Sequence, residues 1–155
     1  MSHPPPKLCT RPPLFGLMES GDDSLTAPKK ASSFHLSLGE RGEMIGWGFL
    51  VRHGYKILEK NYRCPLGEVD VIAAKKGRLV FVEIKTRAQS RFGAPQESVQ
   101  PSKQEKITRV AQWYLKDKKY SDVPVSFHVL AIQFQGQGDP EIRLIEDAFS
   151  LHDPQ

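Results

Sequence analysis

The sequence predicts an α/β domain: a mixed β-sheet flanked by helices, in the order α-β-β-β-α-β-β. Three observations predict it. Two short β-branched runs, 69–74 and 79–84, flank Lys75-Lys76-Gly77, which is a hairpin signal. The second run is apolar on both faces, with Leu79 and Phe81 opposite Val80, Val82 and Ile84. Such a strand is ordinarily central and covered on both sides. Segments of helical period then stand before and after this hairpin, and a second hairpin closes the chain.

Residues 1–36 differ from the rest. Pro4, Pro5, Pro6, Pro12, Pro13 and Pro28 fall here among Ser and Gly. No apolar face repeats long enough to be buried, so this extension is predicted to be disordered. The domain is predicted over 37–150, with a short tail at 151–155. A first helix begins at Ser37 or Gly39 and stops at Gly54. Met44, Ile45, Trp47, Phe49, Leu50 and Val51 supply its apolar residues. Gly46 and Gly48 lower its propensity and suggest close packing on the sheet. Residues 55–62 (YKILEKNY) read as a strand, and 63–67 (RCPLG) as a loop. After the central hairpin, 88–101 is a polar, Gly/Pro-punctuated loop. Ser102 is expected to cap the second helix, with Glu105 completing a capping box. Ile107, Val110, Ala111, Tyr114 and Leu115 form the apolar face of that helix, and Trp113 broadens it. Lys103, Lys106, Arg109 and Lys116 lie on the other face. Residues 125–134 (VSFHVLAIQF) and 141–145 (EIRLI) form the terminal hairpin. His128 in the first of these strands reads as a packed or hydrogen-bonded side chain.

The formal net charge of +4 permits a polyanionic partner without requiring one. Cys9 and Cys64 have no metal-ligand spacing and no disulfide framework, which points to a reducing, cytoplasmic compartment. No apolar run approaches a membrane span, so no membrane partner is expected. Prolines interrupt the apolar residues near the N-terminus, which do not form a secretory signal.

The charges at the strand ends need explaining. Glu83 and Lys85 share the face of Leu79 and Phe81, and Asp70 sits among apolar neighbours on the preceding strand. A buried, unpaired charge costs several kcal/mol or neutralises. One reading is that the strands emerge into solvent and Glu83 pairs with Lys85 or Lys75, a weak surface contact. The other is a metal-dependent nuclease site. Asp70 and Glu83 would hold Mg²⁺ through hard oxygens, with Lys85 beside the attacking water. Asp followed by Glu-x-Lys on the next strand is more specific than the tripeptide alone. Glu43, in the first turns of the first helix, is either a solvated carboxylate at the positive helix end or a further site carboxylate. Arg87, Arg91 and Phe92 suit a nucleic-acid backbone and an unstacked base, and equally an ordinary loop.

The segments GEMIG (42–46), HGYKIL (53–58), NYR (61–63), GEVDVIA (67–73), LVFVEIKTR (79–87), FGAPQESV (92–99) and the KQEKI…AQWYL helix resemble the YraN-like uncharacterised protein family. That family is similar to archaeal Holliday junction resolvases and the wider restriction-endonuclease-like superfamily. The resemblance covers about 38–145. It implies a restriction-endonuclease-like core and a site of Glu43, Asp70, Glu83 and Lys85. In that site the three carboxylates would hold Mg²⁺ (or Mn²⁺), and the lysine would position water and stabilise phosphate charge. It further implies a DNA partner. Arg63, Arg87, Arg91, Lys103 and Lys106 are the candidate nucleic-acid-binding residues, the two lysines on a basic helix face that is either simply solvated or tracks phosphates. Cutting a junction needs two symmetric sites, which is compatible with a homodimer. Gly46 stands where the family usually has Ala, and Ser126-Phe127-His128 where Arg-Phe-Asp is common. Three carboxylates about 4 Å apart would repel by roughly 4 kcal/mol per pair at an effective dielectric near 20. A divalent cation, or a raised pKa on one of them, must relieve this. The expectation is an endonuclease on branched or structured DNA. The alternatives are a catalytically idle nucleic-acid-binding module on the same fold and a small protein-binding adaptor.

Overall fold

The structure, a computed structural model, describes residues 36–88, 99–136 and 138–150. The expected disorder of the N-terminal extension, the loop that carries Arg91 and Phe92, and the tail at 151–155 lie outside the described residues. Helix α1 spans Leu38–Arg52. Ser37 caps it through a full capping box: its Oγ accepts from the Glu40 N–H, and the Glu40 carboxylate accepts from the Ser37 N–H.

The strands are β1 (Lys56–Cys64), β2 (Gly67–Lys75), β3 (Arg78–Ala88), β4 (Val125–Phe134) and β5 (Glu141–Phe149), with helix α2 (Pro101–Asp117) between β3 and β4. They form one sheet in the order β1-β2-β3-β4-β5. Only β3 and β4 pair in parallel. A parallel pair needs a crossover, which α2 provides. The expected element order and mixed sheet are both present. The central hairpin turns at Lys76 and Gly77, whose φ angles of 48° and 76° are both left-handed. Two positive φ values in a two-residue loop match the twist of the flanking strands, and Gly77 takes its share without a Cβ penalty.

The helices lie on opposite faces. Beneath α1 are Val71, Ala73, Val80, Val82, Leu130 and Ile132. Beneath α2 are Val69, Ile72, Leu79, Phe81, Phe127 and Val129. The face of α1 that meets the sheet is Gly42, Gly46 and Leu50, while Met44 and Val51 are exposed. A Cβ on Gly46 would come within 2.9 Å of Ile84 Cδ1, and one on Gly42 would collide with the Thr86 side chain. Close packing is therefore right for Gly46, whereas Gly48 meets only Arg52. On the other face Tyr114 sets its ring edge-on to Tyr62 and Phe81, at centroid distances of 5.1 and 5.9 Å.

Several boundaries differ from the sequence reading. β1 runs on to Cys64, so only Pro65 and Leu66 separate it from β2. Helix α2 starts before Ser102: Gln100 occupies its cap without a side-chain bond. Pro101 takes the first turn, where its fixed φ fits and its missing N–H is no loss. Glu105 bonds Arg109 at 2.6 Å instead of completing a box. Trp113 is exposed rather than part of the core. β5 extends to Phe149, whose ring stacks on Phe127.

Candidate active site

The site lies where β2 leaves β3. Their ladder runs from Lys75 opposite Arg78 to Val71 opposite Val82 and ends there. Beyond it β2 stays paired with β1 as far as Gly67, and β3 with β4 as far as Ala88. Strand alternation also slips at this point. Val71 packs beneath α1, yet Val69 packs beneath α2. On β1, Lys60 lies over the Trp47 ring of α1, while Tyr62 meets Tyr114 of α2. Residues two apart in a strand normally share a face, so both strands change faces at the facing positions Asn61 and Asp70. Asn61 carries the kink, with φ at 48° inside a strand. Among non-glycine residues, Asn tolerates that region best. The slip frees Asp70 from either face. Its Oδ2 accepts the Ile84 N–H at 2.6 Å and so reaches across the gap to β3.

Glu83 approaches the same gap from β3, on the α2 face. Its Oε1 pairs with the Lys103 ammonium at 3.1 Å. Its Oε2 is buried and has no hydrogen-bond partner among the described residues. Burial, followed by the charge on Glu83, pushes the Asp70 carboxyl up from its usual 3.8 to about 6. The Ile84 N–H and Lys103 oppose the rise, and Glu43 adds a little to it. Repulsion between close carboxylates is thus relieved in part by a raised pKa, one of the two routes expected. Burial holds the Lys85 ammonium below the usual lysine range, with Glu83 acting the other way.

Asp70, Glu83 and Lys85 therefore meet at one gap. Glu43 stands on α1 and accepts a hydrogen bond from Asn61 Nδ2 at 3.1 Å. Among the described residues no three His, Cys, Asp or Glu side chains are placed to hold a metal ion together. Of the nucleic-acid candidates, Arg63, Lys103 and Lys106 line one hollow of about 500 Å³ with Cys64, Gly67 and Glu68. Arg87 is exposed at the end of β3, and Arg91 lies outside the described residues. Glu83 does not pair with Lys75, which bonds Glu146 at 3.1 Å. Asn61 does not stand out in the sequence reading. The signal available for it is an Asn amid strand residues.

A second polar group also escapes sequence reading. Tyr55 donates to Glu146 at 2.9 Å, so its oxygen accepts from His128 Nδ1 at 3.1 Å. His128 is accordingly the packed, hydrogen-bonded residue expected, and burial lowers its pKa.

The profile of the uncharacterised protein family UPF0102 matches residues 42–132, which include Glu43, Asp70, Glu83 and Lys85. The chain belongs to this family. Its members from Geotalea uraniireducens (strain Rf4) and Syntrophotalea carbinolica are similar to it. The first is 46% identical over 115 residues, covering 74% of this chain and 91% of the relative. The second is 43% identical over 116 residues, covering 75% and 94%. The member from Clostridium perfringens is 40% identical over 119 residues, covering 76% and 98%. These matches bear out the YraN-like resemblance. Among the described residues no helix is long and apolar enough to cross a membrane.

Proposed function

We propose that this protein is a divalent-metal-dependent endonuclease acting on branched or structured DNA, with Asp70, Glu83 and Lys85 at its centre. The observation that carries the reading is Glu83 Oε2, a buried carboxylate oxygen without a hydrogen-bond partner among the described residues, beside a second carboxylate at Asp70. An unsatisfied buried acceptor costs about 1–3 kcal/mol, and more when charged. A hard cation removes that cost, and Mg²⁺ commonly takes only one or two carboxylates while keeping several waters. The donor set thus fits Mg²⁺ or Mn²⁺ without a third protein carboxylate. Asp70 and Glu83 would hold the ion, and Glu43 would add to the negative field at Asp70. When bound, the ion would polarise the scissile phosphate and make an attacking water more acidic.

The protein's own residues do the rest. Asp70 is held toward β3 by the Ile84 N–H, which fixes one carboxylate oxygen before any ligand arrives. Lys85 lies one alternation beyond Glu83 on the same strand face, where an ammonium would position water and stabilise charge developing on the phosphate. Its partly buried position loosens its proton, which suits a group that shares one with the reacting oxygens. The basic hollow of Arg63, Lys103 and Lys106 would take the flanking backbone.

The test is incubation with labelled four-way junction, flap, duplex and single-stranded DNA plus Mg²⁺ or Mn²⁺. Cleavage by the wild type that disappears in Glu83→Gln and in Lys85→Ala is expected. Salt-sensitive binding without cleavage would favour the idle nucleic-acid-binding module. Neither binding nor cleavage would leave the protein-binding adaptor.

A further inference from the structure

Lys103 stands at two places at once. Its ammonium lies 3.1 Å from Glu83 Oε1, on a carboxylate whose side chain is only 13% exposed. Its side chain, 37% exposed, also lines the hollow with Arg63 and Lys106. It sits in the first turn of α2, so a change of rotamer moves its ammonium without moving backbone. In the hollow Arg63 is already paired, through Nε, with Glu68 at 3.1 Å. Lys106 lies three residues after Lys103, just under one helical turn, and lines the same hollow.

We infer that Lys103 is an exchangeable counter-ion: it neutralises Glu83 until a divalent cation binds, and it then turns to a backbone phosphodiester in the hollow with Arg63 and Lys106. This rests on the metal-site reading above. The chemistry is a competition for one carboxylate. An ammonium on Glu83 Oε1 and a divalent cation on the unpartnered Oε2 draw on the charge of a single carboxylate, and the two cations repel each other. The displaced ammonium has only a short way to go, because the hollow is lined by the same side chain. A phosphodiester there would meet Lys103, Lys106 and the guanidinium of Arg63, all of which can donate to it. Metal binding and nucleic-acid binding are therefore coupled through one side chain, and linkage makes the coupling reciprocal.

The experiment uses the full chain with Ca²⁺ as the probe, titrated by calorimetry into wild type and Lys103→Gln without nucleic acid. Removal of the competing cation is expected to tighten Ca²⁺ binding about fivefold, the scale of a partly exposed ion pair. A fluorescent four-way junction is then titrated in chelator and in saturating Ca²⁺ at fixed salt. The gain in junction affinity on adding Ca²⁺ is expected to be larger for the wild type than for Lys103→Gln. Lys103→Arg, which keeps the charge, is expected to restore weaker Ca²⁺ binding. Equal or weaker Ca²⁺ binding by Lys103→Gln, or an equal gain in junction affinity, would overturn the exchange while leaving the metal site standing. Absence of Ca²⁺ binding in wild type and variant alike would overturn both and trace the failure to the metal-site reading.

Discussion

Replacing Asp70 by an asparagine should stabilise the protein in the absence of metal, and the gain should depend on pH. Burial and the neighbouring Glu83 raise the Asp70 pKa from 3.8 to about 6 in the fold. The folded chain thus keeps a proton that the unfolded chain has released. Stability falls as pH rises through that window and levels off above about pH 6, since it rises with pH only where the unfolded state binds more protons. One pKa unit is worth about 1.4 kcal/mol, so the rise at Asp70 penalises the ionised fold by roughly 3 kcal/mol. The amide that replaces the carboxylate carries no charge, and its oxygen can still accept the Ile84 N–H that Asp70 Oδ2 now takes. Allowing for a weaker neutral hydrogen bond, Asp70→Asn should gain about 2 kcal/mol at pH 8 and nothing below about pH 4. Urea unfolding in chelator at several pH values measures this directly. The reasoning is refuted if wild type and variant show parallel pH profiles, or if the variant is the less stable at pH 8.

Other outcomes follow from single contacts. Gly42→Ala should destabilise by about 1–3 kcal/mol in thermal unfolding, because its Cβ would meet three atoms of Thr86, Cβ included, which rotation alone cannot clear. Gly46→Ala should cost less, since the nearest atoms are the movable ends of Ile84 and Leu130. Tyr55→Phe removes the hydroxyl between His128 and Glu146; leaving a buried imidazole nitrogen unpaired should cost about 1–3 kcal/mol in urea unfolding, with a shift of the His128 ring resonances. At Asn61, Gly should be tolerated and Val should cost at least about 1 kcal/mol, because the position holds a left-handed φ; equal stability of the two variants would count against a kink there. If DNA binds, Arg63→Ala and Lys106→Ala should each lower the salt slope of binding by about one.

The helices, the central hairpin and the order of elements along the chain were legible because each rests on local chemistry. Val80, Val82, Leu79 and Phe81 announce a covered strand, and Lys76-Gly77 announces its turn. That Asp70, Glu83 and Lys85 would come together was legible too, because charges at the ends of apolar runs stand out. What escaped was set by tertiary contact. Nothing in the spacing tells that Lys103, far beyond Glu83 in the chain, is its ion-pair partner. The apolar stripe of α1 differs from its pattern for a similar reason. Met44 and Val51 are apolar, but the sheet-facing positions belong to Gly42 and Gly46, because the sheet comes too close for anything larger. The start of α2 was hidden because Ser102 and Glu105 satisfy a capping pattern that Pro101 pre-empts.

The Ile84 amide has a use of its own. Its proton points out of the β3–β4 ladder and is held by a side chain, Asp70, rather than by a backbone carbonyl of β2. Its resonance and its exchange with solvent therefore follow the ionisation and the occupancy of one carboxylate. A single backbone signal would serve as a built-in gauge of the site, readable in solution without a substrate, a label or a turnover.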